Sequence, residues 1–156
     1  MGNNKIEVIY VEPNKEANVI EIDRSLDSMQ RLVEGYIEEY MPFDDEVALI
    51  CNEEGKMLGL DLNRGIKGEN GDLQDIICGN FFICYAPIES EEFLSMPQDL
   101  KIKYLQMFKQ PEVFFKKGDK IFSEKVDAKV NILERWGVIY EDDNRWIKGI
   151  FINYWW

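Results

Sequence analysis

Runs of apolar residues broken by short polar turns dominate the first 111 positions, and the spacing within each run predicts its conformation. Ile6 to Val11 ("IEVIYV") is rich in β-branched side chains. With the turn "PNKE" and the run "NVIEI" it predicts a β-hairpin. Leu26, Met29, Leu32 and Val33 recur at helical spacing, which predicts a helix capped by Asp23 or Ser25 and ending near Glu34. Gly35 stands where a left-handed C-terminal cap is wanted. "YIEEYMPF" predicts a strand closed by Pro42, and Val47 to Cys51 predicts another. "NEEGK" reads as a turn in which Gly55 supplies a positive φ, and Leu58, Leu60 and Leu62 then alternate with polar or small residues. The stretch "ICNEEGKMLGLDLNR" is therefore expected to be a central hairpin, followed by a polar, Gly-rich loop from Arg64 to Asp75. Gly79 to Ala86 predicts a strand. Ser95 to Lys109 predicts a helix, with Ser95 and Gln98 matching a capping box and Leu100, Tyr104 and Phe108 on one face.

Beyond Pro111 the character of the chain changes. Residues 1–111 hold ten basic and twenty-two acidic side chains, whereas residues 112–156 hold eight of each. All four tryptophans, Trp136, Trp146, Trp155 and Trp156, lie in the second part. "KKGD" and "EDDN" mark turns between β-like runs there. The expected class is α+β: an acidic domain over 1–111 with an antiparallel sheet packed by about two helices, then a neutral, Trp-rich antiparallel β appendage over 112–156.

The net charge of −12 repels nucleic acid and anionic membrane, so neither is expected as a direct partner, and a basic protein is favoured. No run is long and apolar enough to suggest a membrane helix, and the N-terminus lacks the basic start and apolar core of a signal peptide. Gly2 invites myristoylation, but Ile6 stands where Ser or Thr is needed. A cytoplasmic location is expected.

Candidate chemistry is sparse. The chain contains no histidine, which removes the commonest general base and the usual triads. Cys51, Cys78 and Cys84 sit singly inside apolar runs and read as reduced core thiols, without the paired spacing of a zinc site. Asp61 to Asp72 ("DLNRGIKGENGD") imitates an EF-hand loop at its ends, yet Ile66 occupies the position that needs glycine. Gly65, Gly68 and Gly71 match neither a Walker loop nor a dinucleotide fingerprint. Acid pairs such as Asp44–Asp45 and Glu53–Glu54 share one environment and so do not divide acid from base. No catalytic residue, metal site or cofactor is expected. Asn52, Asp61, Asn63 and Arg64 are the candidate contacts for a ligand or partner, because Arg64 is able to grip a carboxylate or phosphate with two donors. The four tryptophans are the candidate aromatic interface, for a partner or for a homodimer.

"LVEGYIEEY", "NEEGKMLGLDLNR", "DIICGNFFICYAP" and "EEFLSM" occur in an order that resembles the domain-of-unknown-function family 3846. The matching positions are Gly35 to Glu38, Asn52 to Lys56, Leu60 to Arg64 and Ile77 to Gly79, within about residues 5–110. Glu34 departs from the resemblance, where a small residue is expected. The resemblance implies small proteins of phages, conjugative elements and gut bacteria, no assigned activity and no catalytic residues to carry over. Three functions remain open: a non-enzymatic protein-interaction module of bacterial or mobile-element origin; an acidic DNA mimic that antagonises a DNA-binding defence enzyme; and a small-ligand binder or enzyme built around Asn63 and Arg64.

Overall fold

The computed structural model describes residues 4–127 and 145–146. Ten strands and two helices are present among them: β1 (Lys5–Val11), β2 (Asn18–Asp23), α1 (Leu26–Val33), β3 (Ile37–Tyr40), β4 (Val47–Asn52), β5 (Leu62–Lys67), β6 (Leu73–Cys78), β7 (Phe81–Tyr85), α2 (Gln98–Phe108), β8 (Glu112–Lys117), β9 (Lys120–Lys125) and β10 (Arg145–Trp146). The class is α+β, as the apolar pattern predicts.

A five-stranded antiparallel sheet, ordered β2-β1-β7-β4-β3, forms the middle layer. Its two faces bury two different cores, and side-chain alternation sorts residues between them. Ile6, Val8, Ala48, Ile50, Phe82 and Cys84 face α1, which contributes Met29 and Val33. Ile9, Val11, Leu49, Phe81 and Ile83 face the opposite way, toward Tyr104 and Phe108 of α2 and Ile66 and Ile77 of the β5–β6 hairpin. Covering on both faces explains why the central strands read as unbroken apolar runs rather than alternating ones. Phe108 meets Phe81 edge-on, with ring centroids 5.4 Å apart.

Both helices are where the sequence places them, but their ends differ. Ser25 caps α1, its side chain accepting from Ser28 N. The left-handed residue at the other end is Glu34, at φ 62°, rather than Gly35. Gly35 is needed for a different reason: a Cβ there would lie 2.6 Å from Nδ2 of Asn52. The capping box of α2 does not form. Pro97 holds the cap position without a side-chain bond, and Ser95 Oγ accepts from Glu7 N on β1 instead.

The expected central hairpin is overturned. β4 pairs with β3 and β7, not with the Leu58–Leu62 segment. All six residues of β4 are buried, which places it inside the sheet. Residues 53–59 are turn, Gly55 does not have positive φ, and Leu58 is exposed. Gly55 is required because a Cβ would meet the Cys78 carbonyl oxygen at 2.8 Å. The expected loop from Arg64 to Asp75 is instead mostly β5 and β6, which pair with each other and form a roof over one face of the main sheet. Gly65 sits within β5 because Leu73, Glu112 and Phe114 leave no room for a side chain.

Past α2, β8 and β9 form a hairpin turned at Gly118 (φ 63°), and the backbone of β10 pairs with β8. Phe114 packs on Ile76, so this hairpin touches β6. Trp136, Trp155 and Trp156 lie outside the described residues, and with them most of the expected aromatic face. Trp146 falls in β10.

Cys51, Cys78 and Cys84 are buried and unbridged, as expected. Burial pushes the Cys51 and Cys78 thiols up to about 12 and raises Cys84 as well. An unfolded thiol titrates near ~8.5. Above that pH the unfolded chain releases protons that the native chain retains, so stability falls as pH rises. The urea midpoint is expected to drop steadily between about pH 8 and pH 10.5, and less steeply in Cys84→Ala. A midpoint flat across that range in the wild type contradicts the burial of these thiols.

Candidate functional site

Asn63 and Arg64 are adjacent in sequence, and in a regular strand their side chains would point to opposite faces. A register shift in the β5–β6 ladder separates the pairs Leu62–Cys78 and Arg64–Ile77, leaving Asn63 as the extra residue of a bulge. Both side chains are consequently buried, at 1% and 0% exposure.

They work as one unit. Arg64 Nη1 donates to Asn63 Oδ1 at 2.9 Å. Arg64 Nε donates to the Phe108 carbonyl at 3.1 Å, and Nη2 to the Lys15 carbonyl at 2.6 Å. Asn63 Nδ2 donates to the carbonyls of Val11, at 3.0 Å, and Gly79, at 2.8 Å. Five bonds thus join the end of β1, the β1–β2 turn, the β6–β7 turn and the last residue of α2. The Phe108 carbonyl is an orphan acceptor at the negative end of α2, where a cation is favoured. Ala17 N, donating to the Lys109 carbonyl at 3.0 Å, closes the same junction.

A buried guanidinium is costly, and desolvation lowers the Arg64 pKa to about 10, with Glu112 opposing the shift. Arg64 therefore remains charged at neutral pH. Glu112 is buried at the start of β8 and accepts from Gly65 N at 3.2 Å. Burial raises its pKa, while the Gly65 amide and the Arg64 charge pull it down. Sequence reasoning missed Glu112. The available signal was an acid placed directly between Pro111 and the apolar run "VFF".

The other two candidates lie elsewhere. Asn52, at the end of β4, donates from Nδ2 to the Val33 and Glu34 carbonyls at 3.0 and 3.3 Å, and its Oδ1 accepts from Glu54 N at 2.8 Å. It closes the C-terminus of α1 onto the sheet. Asp61 has an exposed side chain, and its carbonyl accepts from Gly79 N. The structure thus unites Asn63 with Arg64, leaves Asn52 at a second junction and leaves Asp61 at the surface. The EF-hand imitation fails on geometry, because its first half is the start of β5. No cluster of three or more potential metal-ligating side chains occurs among the described residues.

Concavities open elsewhere among the described residues. One, of about 200 Å³, opens between β3–β4 and β6, with Glu38, Tyr40, Asn52, Lys56, Met57 and Asp75 in its wall. Another, of about 720 Å³, separates the β5–β6 and β8–β9 hairpins and mixes Lys67, Asp72, Lys120 and Asp119 with Leu73 and Ile121.

The family model described as domain of unknown function (DUF3846) matches residues 6–109. The chain belongs to this family. No curated protein and no solved structure matches it. The DUF3846 region runs from β1 to the end of α2, and every group bonded by Asn63 and Arg64 falls inside it. Glu112 and the β8–β9 hairpin follow it.

Replacing Arg64 by lysine keeps the charge but not the fork of donors. One ammonium does not satisfy the Phe108 and Lys15 carbonyls and Asn63 Oδ1 at their separate positions. Arg64→Lys is expected to lose about 2–4 kcal/mol of stability in urea unfolding. A loss below ~0.5 kcal/mol shows that Arg64 does not hold this junction.

Proposed function

We propose that the chain is a non-enzymatic protein-interaction module whose working surface is its acidic exterior. The observation that supports this is the fate of Asn63 and Arg64. The pair best suited to grip a small anionic ligand is buried and bonded to main-chain carbonyls. The described thiols are buried too, and burial keeps them protonated. Among the exposed described residues carboxylates outnumber lysines and arginines, and large apolar groups stand among them: Tyr36 is 68% and Met57 80% exposed. Apolar side chains set among like charges give contact area and select partners by charge sign. A basic protein is the partner class that this surface favours, and a bacterial or mobile-element origin fits such a module.

Capture on the immobilised chain is expected to recover a basic protein that elutes as salt rises from about 0.05 to 0.5 M, since exposed charge pairs are screened over that range. Turnover of a small metabolite by the purified chain, lost on replacement of one side chain, overturns the proposal.

A further inference from the structure

Among the described residues, β3 is the outermost strand of its sheet. β3 pairs with β4 on one side, and among the described residues no strand pairs with the other. Such an edge offers a row of backbone donors and acceptors to an incoming strand. The cavity of about 200 Å³ between β3–β4 and β6 has Glu38 and Tyr40 of β3 in its wall. It is smaller than the ~300–1,000 Å³ of usual small-molecule pockets, and suits one long side chain rather than a cofactor. Tyr40, Met57, Glu38, Glu53 and Glu54 are in its wall, together with Lys56, whose charge is taken up by Asp75.

Charge selects the occupant. From Leu32 to Gly55 the chain holds eight carboxylates and no lysine or arginine. Glu38, Glu39, Glu53 and Glu54 are exposed, and none of the four belongs to an ion pair among the described residues. A second copy is disfavoured: antiparallel pairing of β3 with itself about its centre sets Glu38 opposite Glu39 twice, and like charges directly opposite destabilise a ladder. Nucleic acid and anionic lipid carry the same sign.

We propose that β3 accepts an extended, basic segment of a partner protein as a sixth strand, with one lysine or arginine entering the cavity beside Glu38 and Tyr40. Backbone bonds supply the register, and the pocket and flanking carboxylates supply the choice of sequence. The aliphatic stem packs on Tyr40 and Met57 while its charged head stays at Glu38, Glu53 and Glu54, the Lys56 charge being held by Asp75. This inference rests on the interaction-module reading and adds the site and the form of the ligand.

The test is a titration of the ¹⁵N-labelled full chain with a seven-residue peptide that alternates lysine with valine or threonine. Two control peptides accompany it: one with glutamate for lysine, and one with proline at alternate backbone positions but the same charge. Amide shifts are expected to concentrate on Ile37–Tyr40 and to need only the lysine peptide. Glu38→Gln/Glu39→Gln is expected to weaken binding about 10-fold, as is raising the salt from about 0.05 to 0.3 M. Three results overturn the inference: no shifts at about 1 mM peptide, equal binding of the proline peptide, or shifts spread over the whole acidic surface. A captured protein partner that binds the double variant as tightly as the wild type removes the β3 site while leaving the module intact. Metabolite turnover instead removes the module itself.

Discussion

The buried bond set of Asn63 and Arg64 is the constraint on which the arrangement of layers depends. Burying a guanidinium is unfavourable unless its donors are satisfied. Here they meet a helix-end carbonyl, a turn carbonyl and the Asn63 amide, all groups that would otherwise be acceptors in want of partners. The bulge in β5 is what makes this possible, because it turns two successive side chains inward. Through that one strand the roof hairpin, α2 and the β1–β2 turn are held in register against the sheet. Asn52 repeats the device on a smaller scale, tying the end of α1 to β4 under the constraint that Gly35 has no side chain.

This division of labour has a functional consequence. Asn52, Asn63 and Arg64, which look like recognition chemistry, are committed to the interior, and the exterior is left with carboxylates in excess of cations and isolated apolar groups. The excess of acid over base lies in the first 111 residues, and eight of their carboxylates fall between Leu32 and Gly55, a span without lysine or arginine. Strand edges are usually blunted by charge against self-association, and Glu38 and Glu39 do so here. The same two residues that prevent pairing between copies leave the edge available to a strand of opposite sign. On the proposed reading, protection from self-pairing and selection of a partner are two results of one placement of charge.

Much of the fold was legible in the sequence, for reasons that differ by element. The β1–β2 hairpin, β7 and both helices follow from local periodicity and turn residues, which act over a few positions. β4 was read as a strand but given the wrong partner: "VALICN" joins β3 just before it and β7 some thirty residues on, and β5, read largely as loop, makes a hairpin with β6 that the glycines at 65 and 68 disguise. Gly65 and Gly68 resembled a loop, although the glycine at 65 answers to Phe114 and Glu112, which lie almost fifty residues on. Asn63 and Arg64 stood out as a polar pair after apolar residues, but a bulge is a property of register between two strands and leaves no mark on one of them. The β3 edge was equally hidden, since strand order decides which strand is outermost.

The central claim is that Arg64 is an interior tie and not a ligand-binding group. Its side-chain N–H groups offer the most direct measurement, through ¹H–¹⁵N NMR of the guanidinium at neutral pH. Fixed hydrogen bonds in a buried site slow both exchange with water and rotation of the group. The account predicts resolved, slowly exchanging Nε and Nη resonances from Arg64, distinct from those of the solvent-facing Arg31. A single averaged, rapidly exchanging signal like that of Arg31 would contradict it.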